Sequence, residues 1–113
     1  MEIVGKKRLE KLKRKNKGNV ALKMAIDDLI RDLENHTFQT QEELKNIRPD
    51  ADCIHSGGFY FFDIRIHRTL ILIEFEEDEA TIVWCDSHDK YEETFKNNKD
   101  TIHKWLKDRG LIN

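Results

Sequence analysis

Proline, cysteine and long apolar runs are all scarce in this sequence. Its 113 residues contain one proline, Pro49, and two cysteines, Cys53 and Cys85. A small secreted scaffold typically carries about four to eight cysteines in disulfides, so a fold held together mainly by disulfides is excluded. The longest candidate for an apolar run, Leu70–Ile73, has four residues, whereas a membrane span needs about 18.

The same scarcity bears on domain organisation and location. A chain of this length has room for one hydrophobic core, and its single proline offers no hinge between domains. The N-terminus carries basic residues with no apolar block behind them, which is not the pattern of a signal peptide. We therefore expect a single domain over residues 1–113 that is soluble and cytoplasmic and has no membrane partner.

Charge is abundant, and it is unevenly distributed. Residues 1–17 hold eight lysines and arginines against two glutamates, and residues 74–79 hold five carboxylates in six positions. A basic segment beside a nearly neutral remainder is expected of a protein that meets an anionic partner such as nucleic acid. The alternative is that both segments are solvated surface. The residues expected to contact phosphate are Lys6, Lys7, Lys11, Lys13, Arg14 and Arg65.

Helical periodicity dominates the first half of the chain. Residues 6–16 have a thin apolar edge, and a second helix capped by Asn19 runs to about Glu34 with a continuous apolar stripe. The run Thr40–Glu43 has the form of a capping box, which predicts a short helix that ends before Pro49. The first four residues are expected to form a short strand or a tucked terminus.

From residue 52 onward the hydrophobic period changes to two. Phe59–Ile66 alternates as a strand with Ile66 on its apolar face, and Thr69–Phe75 is apolar on both faces, as in a central strand covered on two sides. Ala80–Cys85 is predicted to be a third strand, followed by a helical tail that is broken near Asn97. The expected fold is α+β, with N-terminal helices packed on a small antiparallel β-meander and a C-terminal helix.

The segment Cys85–Glu92 gathers the most reactive side chains in the sequence, at the point where a strand leaves the sheet. Histidine is the residue type suited to acid–base chemistry near neutral pH, which makes His88 a candidate general acid or base. Tyr91 and Glu92 follow by three and four residues, so all three share one side of a helical turn. Arg68 would bring a fixed cation to a phosphate. The alternative is that His88 caps a helix, Tyr91 packs in the core and Glu92 lies on the surface.

A zinc site is a further possibility. Cys53-x-His55 together with Cys85-x-x-His88 would supply the ligands of a tetrahedral structural zinc. Only the second pair has a usual spacing, and the chain has enough apolar residues to fold without metal, so we expect no metal and no cofactor. Both cysteines are expected in apolar strand settings that raise the thiol pKa, which disfavours a cysteine nucleophile. The pair Gly57–Gly58 precedes a strand rather than a helix, which indicates a turn and not a phosphate-binding loop.

Several short segments resemble HigB toxins of type II toxin–antitoxin systems. Ile3–Leu9 resembles the family's opening "I-I-S-x-K-x-L" run, and Phe38–Asp52 resembles its "F-x-x-x-x-x-L-K-x-x-F-P-S-A-D" segment. Phe62–Arg68 is similar to "F-N-I…Y-R" in the central hairpin, Ser87–Glu92 to "T-H-A-E-Y-D", and Thr101–Ile102 to a closing "T-I". The similarity spans nearly the whole chain in the family's order.

This resemblance implies a RelE-like fold and an endoribonuclease that cleaves messenger RNA, typically at the ribosome, and that a helix-turn-helix antitoxin neutralises. His88 and Tyr91 occupy the family's "H-x-x-Y" positions, Arg68 its strand arginine, and Glu92 the place of the acidic partner. The resemblance implies that these side chains can cleave RNA without a metal ion. A base takes the proton of a ribose 2′-hydroxyl, the oxygen attacks phosphorus, a cation offsets the developing charge, and an acid protonates the leaving 5′-oxygen.

A second class of function stays open, a non-catalytic interaction module on the same fold that is either a degenerate toxin or an inhibitor of another target. Leu72 stands where the family often has a strand lysine, and the net charge of −2 is low for a ribosome-directed nuclease. In a nuclease, the acidic residues 74–79 would have to point away from RNA. An assay for RNA cleavage distinguishes the two classes.

Overall fold

The computed structural model describes all 113 residues and contains five strands and five helices. In chain order the elements are β1 (Glu2–Val4), α1 (Lys6–Lys15), α2 (Val20–Glu34), α3 (Gln41–Ile47), β2 (Asp52–His55), β3 (Phe59–Ile64), β4 (His67–Glu74), β5 (Glu79–Ser87), α4 (His88–Phe95) and α5 (Lys99–Asp108). The strands form one sheet in the order β1-β5-β4-β3-β2. The pairs β2–β3, β3–β4 and β4–β5 are antiparallel, and β1 is parallel to β5. The fold is α+β, as predicted.

Both faces of the sheet are covered by helices. One face, which includes Tyr60 and Ile71, packs against buried leucines of α1, α2 and α3. The other face, which includes Phe61 and Leu70, packs against α4 and α5 through Phe95 and neighbouring residues. Neighbouring residues of β3 and β4 point to opposite faces, so the strands are buried on both sides, as the continuous apolar pattern of Thr69–Phe75 predicts.

Local signals account for two of the first three helices. The Asn19 side chain accepts a hydrogen bond from the Leu22 N–H at the start of α2. At α3, Thr40 and Glu43 form the predicted capping box, in which each side chain accepts from the backbone N–H of the other residue. None of the five helices is both long enough and apolar enough to cross a membrane.

The predicted architecture differs from the structure in three respects. The sheet is mixed rather than purely antiparallel, because the short N-terminal strand β1 pairs in parallel with β5 and precedes the helices. The four residues of β2 form a strand that the periodicity does not single out. Ile66 is not on a strand face but lies 72% exposed in a turn, where Arg65 has a left-handed φ of 66°. The C-terminal helical tail is broken near Asn97 as predicted, into α4 and α5, which are separated at the left-handed residues Lys96 and Asn97.

The turn between β2 and β3 depends on Gly58. Its φ is +96°, and a Cβ added there would lie 2.5 Å from the carbonyl oxygen of Ile73. Its own carbonyl accepts a hydrogen bond from the Ile73 N–H at 2.8 Å. The backbone of β4 therefore lies too close for any side chain at this position.

We expect Gly58→Ala to lower the free energy of unfolding by at least about 1–3 kcal/mol, because the left-handed backbone and the approach to Ile73 would both be strained. Gly18→Ala is the matched control, since nothing lies within 4 Å of a Cβ at Gly18. Its effect should stay within about 0.5 kcal/mol. Urea denaturation of both variants measures the difference, and equal stabilities would contradict this account of the turn.

Candidate functional site

The sheet and the second helical layer meet at the end of β5. Ser87, the last residue of β5, is the register partner of His67, the first residue of β4. Helix α4 begins at the next residue, His88, and the Ser87 hydroxyl accepts a hydrogen bond from the Lys90 N–H as the helix cap. The residue that caps α4 is therefore Ser87, which leaves the His88 side chain free of that role.

His88 lies on the surface beside two of the residues predicted to work with it. Its side chain is 56% exposed, and its Nε2 lies 3.5 Å from the Glu92 Oε1. Its ring stacks on the ring of Tyr91 with centroids 5.8 Å apart. The arrangement follows from the spacing of three and four residues on one helix. A protonated His88 is thus placed to form an ion pair with Glu92.

Tyr91 is a core residue as well as a member of this cluster. It is 3% exposed, and its ring meets Phe61 edge to face at 5.0 Å. Its hydroxyl donates a hydrogen bond to the Asn97 Oδ1 at 3.0 Å. Burial raises the pKa of Tyr91, and the charge of Arg68 opposes the rise. The phenol is therefore protonated at neutral pH, and its proton is already bound to Asn97.

Arg68 lies beneath Tyr91 and is already paired with carboxylates. Its guanidinium carbon is 4.9 Å from the centroid of the Phe61 ring and 4.6 Å from that of Tyr91. Its Nε donates to the Asp63 Oδ1 at 3.1 Å, and its Nη2 is 4.0 Å from the Asp52 Oδ2. Two ring faces and two carboxylates hold this cation in place, and any phosphate must compete with the carboxylates.

The structure thus brings together all four residues predicted for catalysis, and it adds partners that sequence reasoning missed. Asp63 faces Arg68 across the β3–β4 hairpin, a pairing that the hairpin register alone would have revealed. Asp52 reaches the site only because β2 pairs with β3, for which the sequence holds no local signal. The Asn97 contact depends on how the break between α4 and α5 folds.

The six residues predicted to contact phosphate do not form one patch. Lys6 forms an ion pair with Glu34 at 2.6 Å. Lys13 bonds Asp27 at 2.5 Å, a hydrogen bond that raises the pKa of Lys13. Arg65 is at the β3–β4 turn. The remaining three are exposed on α1: Lys7, Lys11 and Arg14.

The residues considered as zinc ligands do not converge. Cys53 is on β2 and Cys85 is on β5, and two strands lie between them, a separation of roughly 14 Å at the usual strand spacing. No three histidine, cysteine, aspartate or glutamate side chains are grouped so as to hold a metal ion. Burial raises the pKa of Cys85 to about 11, with Asp86 adding to the rise. The Cys85 thiol is therefore a poor nucleophile.

The acidic segment lies far from His88. Residues 75–78 form the turn that joins β4 to β5, and His88 follows the opposite end of β5. The nine residues of β5 span roughly 27 Å at the usual rise per residue. The five carboxylates of residues 74–79 are thus directed away from the cluster, as a nuclease at that site would require.

One comparison with known proteins identifies a family. A family model named HigB_toxin, described as the RelE-like toxic component of a toxin–antitoxin system, matches residues 22–94. The chain therefore belongs to this family, which implies an antitoxin partner. The match includes Arg68, His88, Tyr91 and Glu92 but not α1 or α5. No individual curated protein matches the chain.

His67, the register partner of Ser87 at the start of β4, is a buried histidine. It is 5% exposed, and its Nδ1 is buried with no hydrogen-bond partner. Burial lowers the pKa of His67, with an opposing effect of Asp86. Because the unfolded chain binds this proton more readily than the folded chain, stability is lost as the pH falls below the ordinary histidine pKa of about 6.5.

We therefore expect the free energy of unfolding to fall between about pH 7.5 and about pH 5, with a contribution from His67 of at most about 1.4 kcal/mol per pH unit. His67→Gln should flatten this dependence, whereas His103→Gln, at an exposed position on α5, should leave it unchanged. Urea denaturation at the two pH values measures the slopes. A dependence on pH that survives in His67→Gln would assign it to other groups.

Proposed function

We propose that this member of the HigB toxin family is a metal-independent endoribonuclease with a RelE-like fold. It cleaves messenger RNA at the ribosome, in the cytoplasm, and a helix-turn-helix antitoxin neutralises it. One observation carries the proposal: His88, Glu92, Tyr91 and Arg68 form one cluster at the end of the sheet, with the imidazole exposed. Cleavage of RNA by its own 2′-hydroxyl needs proton transfer and stabilisation of developing negative charge, which an imidazole with its carboxylate and a guanidinium can supply.

In the proposed reaction, the His88 imidazole accepts the proton of a ribose 2′-hydroxyl, and Glu92 at 3.5 Å stabilises the imidazolium that results. The 2′-oxygen forms a bond to the adjacent phosphorus, and the bond from phosphorus to the 5′-oxygen breaks. The imidazolium returns the proton to that 5′-oxygen. The products are a 2′,3′-cyclic phosphate and a free 5′-hydroxyl, with no net change in protons.

Arg68 and Tyr91 have different roles in this proposal. Arg68 uses Nε for Asp63 and has four further N–H groups, which can donate to a phosphate oxygen as its charge increases. Tyr91 is a positioning residue, because its hydroxyl is bound to Asn97 while its ring supports both His88 and Arg68. Its contribution should therefore lie mainly in the ring.

The second candidate is a non-catalytic module that binds its antitoxin or another protein. The observation that favours it is the pairing of Arg68 with Asp63 and Asp52, which offsets the charge that a phosphate would need. The two candidate functions differ in whether new RNA ends are produced. Primer extension on transcripts after brief induction yields new RNA ends for a nuclease and none for a binding module.

His88→Ala should lower the cleavage rate by about 10²–10⁴-fold, because it removes the group that transfers the proton. The side chain is more than half exposed, so the free energy of unfolding should change by less than about 1 kcal/mol. His103→Ala, at an exposed histidine on α5, serves as the control. Full activity in His88→Ala would exclude the residue from the mechanism, and loss of activity through unfolding, seen by circular dichroism, would return it to a structural role.

Asp63→Asn should strengthen RNA binding by about two- to fivefold, because it removes a carboxylate that competes with phosphate for Arg68 at an exposed ion pair. Asp100→Asn removes the same charge at an exposed position on α5 and should change the affinity less. Fluorescence anisotropy with a labelled single-stranded RNA compares the two. If the two variants bind equally, Arg68 has no direct contact with phosphate.

A further inference from the structure

A groove that is not part of the His88 cluster runs along the outer edge of β5. Strand β1 pairs only with Glu79–Thr81, so the rest of this edge has no neighbouring strand. Four consecutive residues, Thr81–Trp84, line one cleft of about 510 Å³. Because neighbouring side chains of a strand point to opposite faces, this cleft must open on the strand edge.

A second cleft continues the groove towards the end of β5. It has a volume of about 210 Å³ and extends along the strand to Asp86. The two clefts share Arg8 and Trp84. The groove therefore passes between α1 and the end of α5 and finishes two residues before His88.

The walls of the groove carry unpaired positive charge. Arg8, Lys11 and Lys15 line it from α1, at spacings that place them on one side of the helix. Arg109 lines it from the end of α5. None of these four cations forms an ion pair within the chain. The one carboxylate in the lining is that of Asp86.

The groove also contains both tryptophans of the protein, Trp84 and Trp105. The Trp84 ring packs edge to face against the buried Phe95 ring, with ring centroids 5.0 Å apart. The guanidinium of Arg109 lies 3.8 Å from the centroid of the Trp105 ring, and its Nη1 donates to the Trp105 carbonyl at 3.3 Å. The lining thus combines flat aromatic and guanidinium surfaces with free cations.

We infer that this groove binds single-stranded RNA and leads it to His88. Cations that follow the phosphates, together with flat surfaces on which bases stack, are the combination that proteins use for single strands. An acidic peptide would engage the cations but has no need of two indoles beside them. This inference rests on the proposed nuclease function. Seven of the thirteen lining residues lie outside the family match over residues 22–94: Arg8, Lys11, Leu12, Lys15, Trp105, Arg109 and Leu111.

The first test is the salt dependence of binding. Lys11→Glu/Lys15→Glu removes two groove cations, and Lys17→Glu/Lys23→Glu makes the same charge change at exposed residues outside the groove. Both are placed in the His88→Ala background, so that a fluorescein-labelled single-stranded RNA stays intact. The groove variant should bind at least about tenfold more weakly, and its slope of log affinity against log salt should fall by about 1.4, because each phosphate that is no longer neutralised accounts for about 0.7. The control should keep the parental slope.

The second test uses intrinsic fluorescence, which comes mainly from the two groove tryptophans. Single-stranded RNA should quench it, whereas duplex RNA of the same sequence and a poly-glutamate peptide should not. Arg109→Gln should raise the RNA concentration needed for half-maximal quenching by about 5- to 160-fold, the range expected when one base no longer stacks. Lys107→Gln, two residues earlier at the end of α5 and outside the groove lining, should leave that concentration unchanged.

Equal RNA affinity in the groove and control variants would overturn the inference. Quenching by poly-glutamate and not by RNA would also overturn it, and would assign the groove to an acidic protein partner. The same groove substitutions are also made with His88 intact. Normal cleavage by those variants, together with cleavage abolished in His88→Ala, would overturn the role of the groove but not the nuclease function. Binding of RNA in the groove by a wild-type protein that cleaves no RNA would support the groove and overturn the nuclease.

Discussion

The constraint on which this structure depends is that strands β3 and β4 are apolar on both faces, so both faces must be covered. Helices α1–α3 cover one face, and they precede strands β2–β5 in the sequence. The other face can be covered only by the chain that follows β5, since no other helix remains. The chain must therefore turn back at the end of β5, and this turn places His88 where the sheet ends and solvent begins.

Tyr91 joins the core to the candidate site. Its ring packs in the same cluster as Phe61 and Phe95, while its outer side supports His88 and its neighbour Arg68. Burial of this ring fixes α4 on the sheet, and the same burial fixes the positions of the imidazole and the guanidinium. Stability and any chemistry at this site are thus coupled through one side chain, which is the arrangement expected where functional groups need rigid support.

The parts of the structure that the sequence predicts are those with local causes. The apolar stripe of α2, the Thr40–Glu43 capping box and the helical spacing of His88 and Glu92 each involve residues within four positions. The parts that it does not predict depend on distant pairing. The parallel contact of β1 with β5 joins residues more than 70 positions apart, and Asp52 meets Arg68 only through two hairpins. Ile66 shows a local failure, since the left-handed backbone of Arg65 ends a strand that alternation alone would continue.

The length of β5 has an electrical consequence. The two ends of β5 lie in surroundings of opposite charge. The carboxylates of residues 74–79 are at one end, and cations of α1 lie near the other. The carboxylates lie roughly 27 Å from His88 along β5, which is more than three Debye lengths at physiological ionic strength, where that length is about 8 Å. The carboxylates therefore exert little repulsion at His88. The segregation of charge still gives the molecule a permanent dipole. When the protein approaches a polyanion in dilute salt, this dipole would orient the protein so that its cationic end makes the first contact.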